Sequence, residues 1–261
     1  MNFFSVLQIE LLKTKRTASF WIGVIMGAIF PIAALLFRAN YVNQVIGQFM
    51  GKNFWYVHFE QALKNQTVFL IPMFAIIACT LMVQVEVKNN AWKQVFTTPV
   101  SYLTIYFSKF IVILLMILVY FISFTISMIA TGYILSMVDP DFGAFKTNPD
   151  YLNIIWQVGR IMFYLLPILS IHFWLSLRFK NPFMSIGTGL AMLILCIFLA
   201  AGKWDHTDAV PYTYTFWAGF HQKYTEGNIP FLEKTAFYCT LWFIGIQVAS
   251  IFDFLRRKER A

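Results

Sequence analysis

The sequence predicts an all-α polytopic membrane protein with six transmembrane helices, and three observations carry that prediction. The first is a charge deficit. Only 12% of the 261 residues are charged and 59% are hydrophobic, whereas a soluble domain carries about 25% charged residues. With 29 Phe and 8 Trp, lipid is the expected solvent. The second is a set of six apolar runs of roughly spanning length, near 20–37, 67–85, 105–135, 155–177, 183–202 and 236–254. The third is the asymmetry of the basic residues between those runs, which orients the chain.

The elements follow in order. Residues 1–19 place Phe3, Phe4, Leu7 and Leu11 on one helical face, with Gln8, Lys13, Lys15 and Arg16 elsewhere. This describes an amphipathic arm lying on the inner membrane surface, although a plain basic anchor would read the same way. The first run, Phe20–Phe37, is too long for a signal h-region and is read as a retained span. Pro31, Pro72 and Pro167 fall inside spans, where proline is tolerated and kinks the helix. The third run exceeds one upright span, so part of it is expected to project from the hydrocarbon or tilt.

With the N-terminus inside, twelve basic residues lie on the cytoplasmic side, including Lys13, Lys88, Lys93, Lys109, Arg178 and Arg256–Lys258. Seven lie outside, and Arg160 sits within a span. The net charge of +8 is thus spread as short clusters beside apolar runs. That pattern suits a membrane surface and gives no basic domain for nucleic acid. No linker or repeat divides the chain, so residues 1–261 read as one domain. Cys79, Cys196 and Cys239 lie in apolar segments without metal-ligand spacing and read as buried thiols.

The most informative stretch is 86–104, EVKNNAWKQVFTTPVSYLT. Glu86 closes the second span at the inner interface, where a carboxylate meets water or a cationic partner. Val87–Phe96 can form a short helix showing Trp92, Val95 and Phe96 beside Lys88 and Lys93. Thr98–Pro99 reads as an N-cap and N1 pair opening the third membrane helix. Such a segment suits docking of a cytoplasmic protein. A solvated loop with its Trp anchored among headgroups fits equally well.

The arm ELLKTKRTASFW, the glutamate after the second span, the run NNAWKQVFTTPVSYLTIYFSK and the RRKE tail together resemble type 2 ATP-binding-cassette (ABC) exporter permeases. Within that family the likeness is closest to the lantibiotic and bacitracin immunity permeases. The resemblance implies a cytoplasmic coupling helix between spans two and three, and re-entrant helices before the last span. By position it places Glu86, Asn90, Trp92 and Lys93 in or beside the coupling element, Pro99 at its end, and Lys109 at the base of the third span. It further implies a separate cytoplasmic ABC ATPase carrying ATP and Mg, and a homodimer or heterodimer of permeases. The expected setting is a bacterial cytoplasmic (inner) membrane, with both termini inside by the count of basic residues. The expected function is export of an amphiphilic substrate such as an antimicrobial peptide, drug or lipid. A non-transporting scaffold subunit is the alternative.

On the outer side, 203–235 holds Trp204, Tyr212, Tyr214, Phe216, Trp217, Phe220, Tyr224 and Phe231 between Gly and Pro breaks. This density favours short interfacial or re-entrant helices. Trp217 and Phe220, with the intramembrane Arg160, are the candidates for a substrate path; an aromatic belt is the plainer reading of the rings. Arg160 is expected to snorkel or to pair with another helix. His172 is expected to be a hydrogen-bonded structural residue. A GxxxxGK[ST] phosphate loop is absent, so the chain is not expected to hydrolyse ATP and binds no cofactor of its own. A membrane-embedded enzyme is disfavoured because Arg160 and His172 stand about 18 Å apart along a helix, with no HExxH and no paired acids.

Overall fold

The computed structural model describes residues 2–15, 18–89, 100–202, 204, 206–220 and 229–256. All the regular structure among them is helical, and six helices are long and apolar enough to cross a membrane.

Helix α1, Phe3–Lys15, precedes α2, Ala18–Asn40. The protein-facing stripe of α1 is Val6, Glu10 and Thr14, while Phe4 is 75% and Leu12 64% exposed. The expected apolar face is therefore split. Leu7 and Leu11 touch the core, but Glu10 and Thr14 take buried positions four apart: the carboxylate is received by a cation on another helix, and the hydroxyl donates to the Leu11 carbonyl of its own helix at 2.8 Å.

Helix α2 packs along the third spanning helix, and a glycine lets the two approach. A Cβ on Gly27 would lie 2.5 Å from the Tyr120 carbonyl oxygen. Ser123 Oγ donates to the Val24 carbonyl across the same contact at 2.7 Å. Small residues and interhelical hydrogen bonds of this kind hold helices together in lipid. The outward face of α2 shows Trp21, Ile25, Ile29, Ile32 and Leu36, a continuous apolar stripe at helical spacing.

The interval 38–66, which separates the first two apolar runs, is largely helix. Helix α3, Phe54–Asn65, begins at Asn53, whose side chain accepts the amides of Trp55 and Tyr56. Glu60, Gln61 and Lys64 lower the hydropathy here and conceal a helix that buries Phe54, Trp55, Val57, His58, Phe59, Ala62 and Leu63. A π-helical turn, Gln66–Leu70, then joins α3 to α4, Ile71–Lys88. The widened turn sits where Pro72 lacks the amide an unbroken α-helix would need.

Helix α5, Tyr102–Val138, runs 37 residues without a break, about 55 Å at 1.5 Å per residue. Its N-cap is Ser101, whose hydroxyl accepts the Thr104 amide at 3.1 Å. The expected start at Thr98–Pro99 is corrected: a competent cap lies further along the chain, and Thr98 and Pro99 themselves lie outside the described residues. Helix α6, Tyr151–Phe179, is capped by Asp150. It ends at Lys180, which takes a left-handed conformation (φ 53°) in the tight turn leading to α7, Pro182–Ala201. A short helix α8, Tyr214–Phe220, and the final helix α9, Ile229–Arg256, complete the fold.

Burial divides the spans into two groups. The spanning windows containing α4, α5 and α6 are 61%, 44% and 50% buried, while those of α2, α7 and α9 are 17%, 28% and 22% buried. The first three form the centre and the others present broad apolar faces outward. Helix α1, the C-terminal ends of α4, α6 and α9, and the start of α5 lie at one end of the bundle.

Candidate coupling site

At that end four charged side chains from three helices meet. Lys109 Nζ, in the second turn of α5, donates to Glu86 Oε1 at 2.6 Å and to Glu10 Oε2 at 2.9 Å. Lys13 Nζ donates to Glu10 Oε1 at 2.7 Å and to Glu86 Oε1 at 3.0 Å. Each ammonium thus bridges both carboxylates, and the cluster is neutral overall. Lys109 and Glu86 are each 1% exposed and Glu10 is 3%, so solvent screens little of the interaction. Glu86 Oε2 is buried and accepts no hydrogen bond among the described residues.

The electrostatics follow from this closure. Burial pushes the Glu10 carboxyl upward, but Lys109 and then Lys13 outweigh it and hold the group below the ordinary carboxylate range. Burial lowers Lys13, yet its hydrogen bond and charge pairing with Glu10, together with Glu86, leave it raised. Two helices besides α1 are engaged: Glu86 lies in the last turn of α4, and Lys109 sits near the head of the longest helix. The cluster ties α1 to the last residues before segment 90–99 and to the rod that follows it.

Of the expected coupling residues, Glu86 is in this cluster and meets two cations, with no access to water. Lys109, placed at the base of the third span by the family resemblance, is its most buried cation. Asn90, Trp92, Lys93 and Pro99 lie outside the described residues. Sequence reasoning missed Glu10 and the pairing role of Lys13. The signal was present, because Glu10 is the one acidic residue in 1–19 and Lys13 follows at i+3.

The path candidates form a second group at the opposite end. Arg160 donates to Gln157 Oε1 and to the Ala218 carbonyl, both at 2.7 Å, so it pairs across to α8 as one of its two expected behaviours. Trp217 and Phe220 lie on α8. Phe220 is 46% exposed and stacks on Phe216 at 4.4 Å. Helix α8 is wedged against the π-helical turn so tightly that a Cβ on Gly219 would fall on the Thr67 hydroxyl. A cavity of about 250 Å³ opens between α3 and α6, lined by Trp55, Tyr56, Phe59, Glu60, Asp150 and Gln157 among others. Its lining reaches Gln157, the residue that holds Arg160. His172 is buried and hydrogen-bonded, to Ser185 at 3.1 Å and Tyr212 at 2.7 Å.

Comparison with known families matches residues 6–198 to the ABC-2 family transporter proteins. The chain belongs to the ABC-2 transporter family. The matched region contains all four residues of the ion cluster and runs from α1 into the end of α7. No curated protein and no solved structure matches the chain. ABC-2 membership makes this a transporter membrane protein and implies association with an ABC ATPase.

Proposed function

We propose that this ABC-2 chain is the permease subunit of an exporter, forming a single transmembrane unit driven by a separate ATPase. The observation that carries the reading is the buried Glu10–Lys13–Glu86–Lys109 cluster directly preceding segment 90–99. In this proposal Glu86, Asn90, Trp92, Lys93 and Pro99 belong to the element on which the ATPase bears. ATP and Mg act on that partner. Displacement of the element is passed through Glu86 and Lys109 to α4 and α5 together, with α1 locked to both. The cluster end faces the cytoplasm, consistent with the inward excess of basic residues, and the membrane is the bacterial inner membrane. Two permeases, identical or related, surround the path. An amphiphilic substrate leaves past Arg160, Trp217 and Phe220.

The test is reconstitution with the cognate ATPase in proteoliposomes. Glu86→Gln and Lys93→Glu are each expected to uncouple substrate-stimulated ATP hydrolysis from transport, leaving basal hydrolysis in place. Unchanged stimulation in both variants would remove the coupling assignment. ATPase docking without any ATP-dependent substrate movement by the wild type would favour a scaffold.

A further inference from the structure

A groove lies in the angle between the α1–α2 corner and α5, beside the ion cluster and away from the path residues. Its volume is about 340 Å³, and Leu11, Phe20, Val112, Leu115, Met116 and Val119 are among its walls. Along α5 it runs from Val112 to Val119, about 10 Å of helix. Lys15 lines its rim and is exposed, outside the four-group cluster. Trp21, also at the rim, is 62% exposed and begins the outward apolar stripe of α2. The groove is therefore continuous with a face suited to hydrocarbon, and it has a cation at its mouth.

We infer that this groove holds an anionic phospholipid, with an acyl chain between α1–α2 and α5 and the headgroup phosphate on Lys15. An apolar slot open to a hydrocarbon-facing surface suits a chain. A lysine where the chain meets the headgroup layer supplies the charge that selects an acidic lipid over a zwitterionic one. The occupant touches both helices joined by the Glu10–Lys109 pair, so it braces α1 against α5 from the lipid side as the ion cluster does from within. On the orientation proposed above the lipid belongs to the cytoplasmic leaflet; the binding itself does not rest on that reading.

Native mass spectrometry of the full chain, exchanged with phosphatidylglycerol or phosphatidylcholine vesicles, tests this directly. The wild type is expected to retain phosphatidylglycerol about fivefold more often than phosphatidylcholine. Lys15→Glu should abolish the preference and Lys15→Arg should keep it. Leu115→Trp, which fills the slot and leaves the charge, should lower retention of both lipids. Thermal melting of each variant in detergent separates lost binding from lost folding. Equal retention of the two lipids by the wild type, or an undiminished preference in Lys15→Glu, would overturn the inference. High-yield disulfide formation between two copies of Leu115→Cys would overturn it too, because the groove would then be covered by a second copy of the chain.

Discussion

Lys109 and Glu86 are each buried, and at 2.6 Å they form the closest ion pair of the cluster. Removing one partner of a buried ionic group costs about 3–5 kcal/mol, because the remaining charge is left uncompensated. Lys109→Met leaves two carboxylates to share the single ammonium of Lys13, so it is expected to lower the melting temperature sharply in detergent or nanodiscs. Adding Glu86→Gln to that variant should recover part of the loss. If the double variant melts no higher than the single one, the charges are not the source of the effect. The pH dependence has a definite sign at each end. The lowered Glu10 pKa stabilises the fold above the ordinary glutamate value of about 4.3 and is lost as pH falls through the folded value. The raised Lys13 pKa stabilises below the ordinary lysine value of about 10.4 and is lost as pH rises through the folded value. Melting temperature should therefore be level across the neutral range and fall at both extremes. The falls should be shallower in a Glu10→Gln, Lys13→Met variant.

At the scale of elements, close helix approach is decided by single glycines. Gly27 faces a backbone carbonyl and not a flexible side chain, so the contact cannot yield by a rotamer change. Gly27→Leu should prise α2 from α5 and cost about 1–3 kcal/mol or more, measured as loss of cooperative thermal unfolding. The exposed Gly187, around which a Cβ meets nothing, is the matched control. Loss of the Asn53 cap by Asn53→Ala should cost about 1 kcal/mol. Its signature would be faster amide exchange at Trp55 and Tyr56 with the spans unaffected.

These elements also show what was legible from the sequence. Spans declare themselves through long apolar runs, and five of the six runs sit within one long helix each with small boundary shifts. The exception is 67–85, because α3 continues it outward through residues polar enough to break a hydropathy window. Helix α1 was legible as a helix but not in its orientation. Period alone assigns the apolar face inward, and only knowledge of Lys109 and Glu86 explains why Glu10 is inside. Charge pairing across 73 residues, as between Lys13 and Glu86, leaves no local trace.

The whole molecule has a central trio, α4, α5 and α6, between two ends of different chemistry. The cluster end is ionic and closed, whereas the other end carries aromatic side chains around an open cavity. If the permease reading holds, α1 and α5 move as one unit, so cross-linking them should leave transport intact. A cysteine pair at Leu11 and Leu115, bridged by a short bifunctional reagent, would report this; arrested transport in the bridged form would show that the two helices must move apart.

The length of α5 bears on how such motion would travel. Its 37 residues contain no proline and exceed the roughly 30 Å hydrocarbon layer by a wide margin, so the two ends of the molecule share one stiff member. A lever of about 55 Å that pivots about its foot by roughly 5° carries its tip about 5 Å. That is close to one helical turn, the step by which packed elements slip from one resting register to the next. A small push beside Lys109 would therefore arrive at Val138 already magnified, with no chain of intermediate contacts required to relay it.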